Sequence, residues 1–365
     1  MRERLYYLDV VRGIAAVVVA CLYHYVHFSS MIQPNSSGSV PPFFAIQPFN
    51  FLFSRGELMV DVFFVLSGIV FSYTYQEPLQ KSQVDQFDFF VKRFSRLYPV
   101  HFLTLIITTC IISLFYYNFK TYPIYSNNDL YHFFLNLLFL QRGYADFGYS
   151  FNGPSWSLSV EVLMYVLFFV QMRYFRHYIL ISIILACLGL LIFRFAPVYF
   201  PFLFNIDVSR GLMGFFSGSL LYNVFLKNYD VFKKKQIFLV LLFLSYFFYL
   251  VYLHNFIAVP LNIQVIVIMV ICVPILHHND WIRTHSNVRI LVSLGDISLA
   301  VYMIHVPIQM IIIFYYRFTH DVIPFDSAIF LMTYSLSVIL SGYLLHYYFE
   351  KPGQIWLRRA FVFNK

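Results

Sequence analysis

Apolar residues in this 365-residue chain gather into uninterrupted blocks of roughly 18 to 25, each long enough as a helix to cross ~30 Å of hydrocarbon. The blocks fall near 10–28, 57–75, 97–117, 154–171, 178–196, 208–226, 236–253, 257–276, 292–316 and 324–347. In lipid the backbone must satisfy its own hydrogen bonds, which leaves only helices or a closed barrel. The runs are continuous rather than alternating segments of ~10 residues, so helices are expected. Charged residues make up only 12% of the chain, about half the share in a soluble domain and too few to cover a water-facing surface. The expectation is an all-α polytopic membrane protein of about ten transmembrane helices, forming a single domain over 1–365 with no appended soluble domain. The block 133–141 is too short to cross and reads as a re-entrant or interfacial piece.

Lysine and arginine set the orientation. With ten spans and a cytoplasmic N-terminus, 18 of the 25 fall in inside loops, 4 in outside loops and 3 at or within spans. That asymmetry places both termini in the cytoplasm. It also accounts for the net charge of +8: the basic residues sit in short loops between spans, so nucleic acid is not a partner. The four cysteines (Cys21, Cys110, Cys187 and Cys272) each lie in an apolar block without CxxC spacing, which implies neither disulfides nor a metal site. The first block carries Arg12 and two histidines and lacks a small-residue cleavage site, so it does not read as a cleavable signal peptide.

Ionisable residues inside the blocks mark the chemistry, because at such depth they are costly and normally face a cavity or a partner. The first span, LDVVRGIAAVVVACLYHYVHF, holds Arg12 near its cytoplasmic mouth and His24 ~18 Å further along. His27 follows about one turn later. Imidazole exchanges protons near neutral pH, so His24 is a candidate base, although a lone histidine is more often a helix-helix contact. In the second span Asp61 requires a partner, with His24 or an arginine as the choices, and Ser67-Gly68 permits close helix approach. The following VKRFSRLYPVHF carries Lys92, Arg93 and Arg96, either a positive-inside signal or a site for a phosphorylated ligand. The fourth span opens with NGPSWSLSVEVLMY, where Trp156 is an interface anchor or a cavity residue and Glu161 lies one to two turns inside. The ninth, SLGDISLAVYMIHVPIQM, carries Tyr302 and His305 just ahead of Pro307. Four separated spans with buried ionisable groups exceed what a scaffold requires.

These motifs, together with the terminal YYFEKP, run in order from residue 8 to about 352, and the chain resembles the acyltransferase family 3 membrane proteins. The resemblance implies an integral membrane O-acyltransferase of the inner (cytoplasmic) membrane. Such an enzyme transfers an acyl group, usually acetyl from acetyl-CoA, to an extracytoplasmic carbohydrate such as O-antigen, exopolysaccharide or a lipo-oligosaccharide. It maps the family's first-helix pair onto Arg12 and His24 and its RxxR pattern onto Arg93 and Arg96. The family usually has ten residues between the pair. Here there are eleven, and twelve helical steps leave two residues about 120° apart unless a local bulge restores the face. The expected scheme has Arg12, Arg93 and Arg96 binding donor phosphates, and His24 as base or transient acyl carrier. Asp61 or Glu161 orients His24, His305 and Tyr302 line the cavity or hydrogen-bond the developing oxyanion, with His305 counted among the catalytic residues, and Trp156 and Ser67 line the cavity. A transporter or flippase of a small solute or lipid-linked glycan is the alternative from another class.

Overall fold

The computed structural model describes residues 4–31, 41–44, 46, 49–142, 148–195, 204–227, 260–277 and 288–362. These residues form helices joined by turns, with no strand among them. We label the α-helices α1 (Tyr6–Val17), α2 (Phe49–Arg55), α3 (Leu58–Gln80), α4 (Gln86–Phe119), α5 (Leu130–Leu137), α6 (Trp156–Tyr174), α7 (Tyr178–Phe195) and α8 (Ile206–Leu221). Then come α9 (Leu261–His277), α10 (Val288–Asp296), α11 (Ser298–Thr319), α12 (Ala328–Leu345) and α13 (Lys351–Val362). Seven helical stretches among the described residues are long and apolar enough to cross a membrane: 6–29, 58–80, 86–119, 153–174, 178–195, 298–319 and 328–361. The chain is therefore an all-α multi-pass membrane protein. On α7, Leu180, Ile184, Leu188 and Leu191 are all exposed, a stripe at helical spacing suited to lipid.

Two of the expected spans correspond to α8 with its π-helical extension Tyr222–Leu226 and to α9. The one at 236–253 lies outside the described residues. The span expected at 292–316 is instead two helices, α10 and α11. The break has a tertiary cause. Arg12 donates from Nε (3.2 Å) and Nη2 (2.9 Å) to the Gly295 carbonyl, which takes an acceptor out of the helical ladder. Gly295 also packs on the backbone of α1, where a Cβ would lie 2.2 Å from the Asp9 carbonyl oxygen.

The chain divides into two compact units. The first comprises Met1–Arg12, Val60–Gln83 and Glu161–Gly295. Within it α3 and α8 meet along a seam where glycines bring the backbones together. A Cβ on Gly68 would lie 1.9 Å from the Phe215 carbonyl oxygen, and one on Gly218 would lie 2.1 Å from that of Val65. Small residues permit this approach between membrane helices. Polar pairs follow it at turn intervals: Ser72 with Ser219 (2.8 Å) and Gln76 with Asn223 (2.8 and 2.9 Å). Each supplies a partner that water would otherwise provide.

The second unit comprises Gly13–Met59, Val84–Val160 and Asp296–Lys365. Here α4 runs 34 residues, ~51 Å at 1.5 Å per residue, so it projects beyond the hydrocarbon and carries Lys92, Arg93 and Arg96 on that projection. Asp85 caps its N-terminus and Lys120, at φ 56°, ends it in the left-handed conformation. Within α11, Pro307 has no N–H to give the Met303 carbonyl one turn back. The Asn152 side-chain amide donates to that oxygen instead, at 2.8 Å, which ties the NGPSW turn to α11. The short piece expected near 133–141 is α5 and its turn, capped by the Asp129 carboxylate on the His132 N–H (2.9 Å).

Gly218→Ala is expected to cost about 1–3 kcal/mol through overpacking against Val65. A thermal melt in detergent should show a clear drop in Tm, and an unchanged Tm would mean that this close approach is dispensable.

Candidate functional site

In the second unit the first span departs from α-helical winding. Val18–Tyr23 is π-helical and His24–Met31 is 3-10. A π turn takes up an extra residue relative to an α-helix and occurs often at functional sites. It lies between Arg12 and His24, where the sequence has one residue more than the pattern it resembles.

His24 and His305 meet. His305 Nε2 lies 2.9 Å from His24 Nδ1, and the rings stack at 4.8 Å between centroids. His305 Nδ1 lies 2.7 Å from the Tyr302 carbonyl oxygen. A carbonyl only accepts, so His305 carries its hydrogen on Nδ1, and in the neutral ring its Nε2 is an acceptor. His24 must then donate from Nδ1, which leaves the lone pair on its Nε2. One backbone oxygen thus sets the polarity of two rings in series. Among the described residues no hydrogen-bond partner engages His24 Nε2.

Gln309, fully buried one turn after His305, extends the same logic to His27. Its amide nitrogen donates to the His24 carbonyl (2.8 Å) and to the Tyr334 hydroxyl (2.9 Å). Tyr334 in turn donates to the Ala20 carbonyl (2.7 Å). That orientation turns Gln309 Oε1 toward His27 Nδ1 at 2.9 Å, so His27 also donates from Nδ1. Gln309 was not among the residues singled out in the sequence. The available signal was a polar residue four positions beyond His305 in an otherwise apolar span.

Side chains from the NGPSW turn and the preceding loop gather near these rings. The Tyr302 hydroxyl lies 3.0 Å from Ser157 Oγ and donates to the Pro154 carbonyl at 2.9 Å. Trp156 begins α6 as a buried residue. Tyr125 presents an edge to His27 at 5.8 Å and packs on Gly153, where a Cβ would meet its ring at 2.3 Å. Burial pushes the Tyr125 phenol above the usual tyrosine range, reinforced by the phenols of Tyr149, Tyr302 and Tyr23. It therefore stays a neutral hydroxyl, able to donate.

The two carboxylates lie in the first unit. Of the two partners expected for Asp61, the structure supplies the arginine. Arg210 grips Asp61 with two hydrogen bonds, Nε to Oδ1 at 3.0 Å and Nη2 to Oδ2 at 3.1 Å, and Asn262 adds a third at 2.8 Å. Arg210 is the lone arginine of its apolar span, and such a group needs a carboxylate as much as Asp61 needs a cation. Glu161 accepts through one oxygen from Ser67 (2.9 Å) and from Tyr165 one turn on (2.5 Å). Arg12 belongs to this unit and is engaged by Asp9 (2.9 Å) and Gly295. Arg93 and Arg96 belong to the second, Arg93 buried and Arg96 half-buried.

A family model described as an acyltransferase domain matches residues 5–353. A protein recorded as "Protein 2 in picA locus" from Rhizobium radiobacter is 29% identical over 178 residues, covering 44% of this chain and 79% of that protein. No solved structure matches the chain.

Two measurements check this geometry. In spectra of 15N-labelled histidine, His24 is expected as the Nδ1–H tautomer, and His305→Ala should erase that preference; an unchanged tautomer would sever the link. Asp61→Leu alone strands a buried guanidinium and is expected to cost about 3–5 kcal/mol. Asp61→Leu with Arg210→Leu should recover much of that loss in a melt, and no recovery would mean the pair is uncoupled.

Proposed function

This chain belongs to the acyltransferase family whose model spans residues 5–353, and from that premise we propose that it is an O-acyltransferase. In this reading it takes an acyl group, most simply acetyl, from a cytoplasmic acyl-CoA and places it on a hydroxyl of an extracytoplasmic carbohydrate. The membrane in question is the cytoplasmic one. The acceptor is of the class of O-antigen, exopolysaccharide or lipo-oligosaccharide. The observation that carries the reading is the polarised imidazole chain ending at His24 Nε2.

The chemistry asked of the residues is modest. The donor supplies a thioester, whose carbonyl carbon forms the new bond to oxygen while the bond to sulfur breaks. His24 Nε2 accepts the hydroxyl proton as that oxygen attacks. The resulting positive charge is shared, because His24 Nδ1–H already points at His305 Nε2 and His305 Nδ1–H at the Tyr302 carbonyl. His24 then returns the proton to the departing thiolate, so the products are an ester and a free thiol. In a serine hydrolase triad a carboxylate holds the base; here a second imidazole on a backbone carbonyl fills that place. The neutral Tyr125 hydroxyl is suited to hydrogen-bond the acceptor or the developing oxyanion, while the Tyr302 hydroxyl, donating to the Pro154 carbonyl, can line the cavity. Asp61, with Arg210, and Glu161, with Ser67 and Tyr165, are assigned to ordering the first unit. Arg93 and Arg96 would hold the donor's phosphates by bidentate pairing.

Purified protein supplied with label in the acyl group of acetyl-CoA and a candidate glycan is expected to yield a glycan heavier by one acetyl unit. His24→Ala should lower the rate by about 10²- to 10⁴-fold, the usual contribution of a positioned base. Full activity in His24→Ala would remove His24 from the chemistry. Movement of a solute without modification would replace the enzyme reading with transport.

A further inference from the structure

The C-terminal helix α13 offers a group that the scheme above leaves unused. It packs along the early turns of α4, where a Cβ on Gly353 would meet Pro99 Cβ at 2.9 Å. One turn and a half further on, Arg358 Nε donates to Ser95 Oγ at 3.1 Å, and that hydroxyl donates to the Lys92 carbonyl at 3.1 Å. Ser95 is fully buried, so both of its hydrogen-bonding roles are filled and its position is fixed. The guanidinium is thereby anchored by one nitrogen. Its two terminal Nη groups take no partner among the described residues.

The two helices carry charges of one sign here. Ser95 sits inside the Arg93–Arg96 turn, and Lys92, Ser95 or Arg96, and Pro99 recur on one helical face. Neither α4 after Asp88 nor α13 contains an acidic residue. Glu350, just ahead of α13, is already engaged by His346 (2.8 Å) and Gln354 (3.0 Å). A guanidinium fork held by its Nε, beside further cations, is the arrangement that receives a phosphate through two parallel N–H···O bonds.

We propose that Arg358 is a binding residue of the donor site: its Nη fork, on the face of α4 that carries Lys92 and Arg96, takes a phosphate of the acyl-CoA. This rests on the reading of the protein as an acyl-CoA-dependent transferase. An anionic lipid headgroup presents the same phosphate chemistry at this depth, and the test separates the two sources.

Binding of labelled, unacylated coenzyme A to the full-length protein is measured in nanodiscs of phosphatidylcholine alone, then with phosphatidylglycerol added. In pure phosphatidylcholine, R358Q is expected to weaken binding by about 10-fold or more, the scale of a lost charged hydrogen bond. R359Q removes the same charge from the exposed neighbouring position and should leave affinity near wild type. R358K keeps the charge without the fork and should fall between, and it stands in for R358Q if the latter fails to fold. If coenzyme A binding is insensitive to R358Q but the protein's Tm loses its dependence on phosphatidylglycerol, the phosphate is a lipid's and the donor assignment is overturned. If neither changes, Arg358 binds no phosphate. Because the readout is binding, a wild type that holds coenzyme A but acylates nothing would defeat the transferase reading and leave this site standing.

Discussion

Polar groups within hydrocarbon have no water to fall back on, and most of the specific architecture here follows from supplying each one with a partner. The α3–α8 seam is the plainest case. Glycines let the helices approach closely enough for Ser72–Ser219 and Gln76–Asn223 to pair. At one end of the same seam Asp61 and Arg210 neutralise each other. Removing either charge alone is costly, whereas the pair together is tolerated.

The same requirement gives the histidine site its direction. Pro307 releases the Met303 carbonyl, Asn152 satisfies it, and the NGPSW turn is thereby fixed beside α11. The Tyr302 carbonyl orders His305, which orders His24. Gln309 does the same for His27 while holding Tyr334. A backbone oxygen is a fixed dipole that cannot be protonated at working pH. It can therefore serve as the terminus of a proton chain without the desolvation burden of a buried carboxylate.

Much of the fold was legible in the chain. Apolar block length gave most of the helices, and Asp85, Asp129, Asn205 and Ser327 cap helix starts as their side chains suggest. The break between α10 and α11 was not legible, because it depends on Arg12 and Asp9 meeting Gly295 from far along the chain. The individual site residues were visible as polar interruptions, and their partners were not: periodicity places a residue on a helix face but does not say which helix it faces. The imidazole that meets His24, His305, was such a partner.

Sequence alone determined that this chain crosses a membrane as helices, because block length and the scarcity of charge are local quantities set against the thickness of the bilayer. The tertiary structure decided how the polar residues pair. His24 and His305 are 281 positions apart, and Asp61 and Arg210 are 149 apart. Such contacts fix tautomers and charge pairs only once helices have packed, since nothing in the local chain distinguishes one distant partner from another.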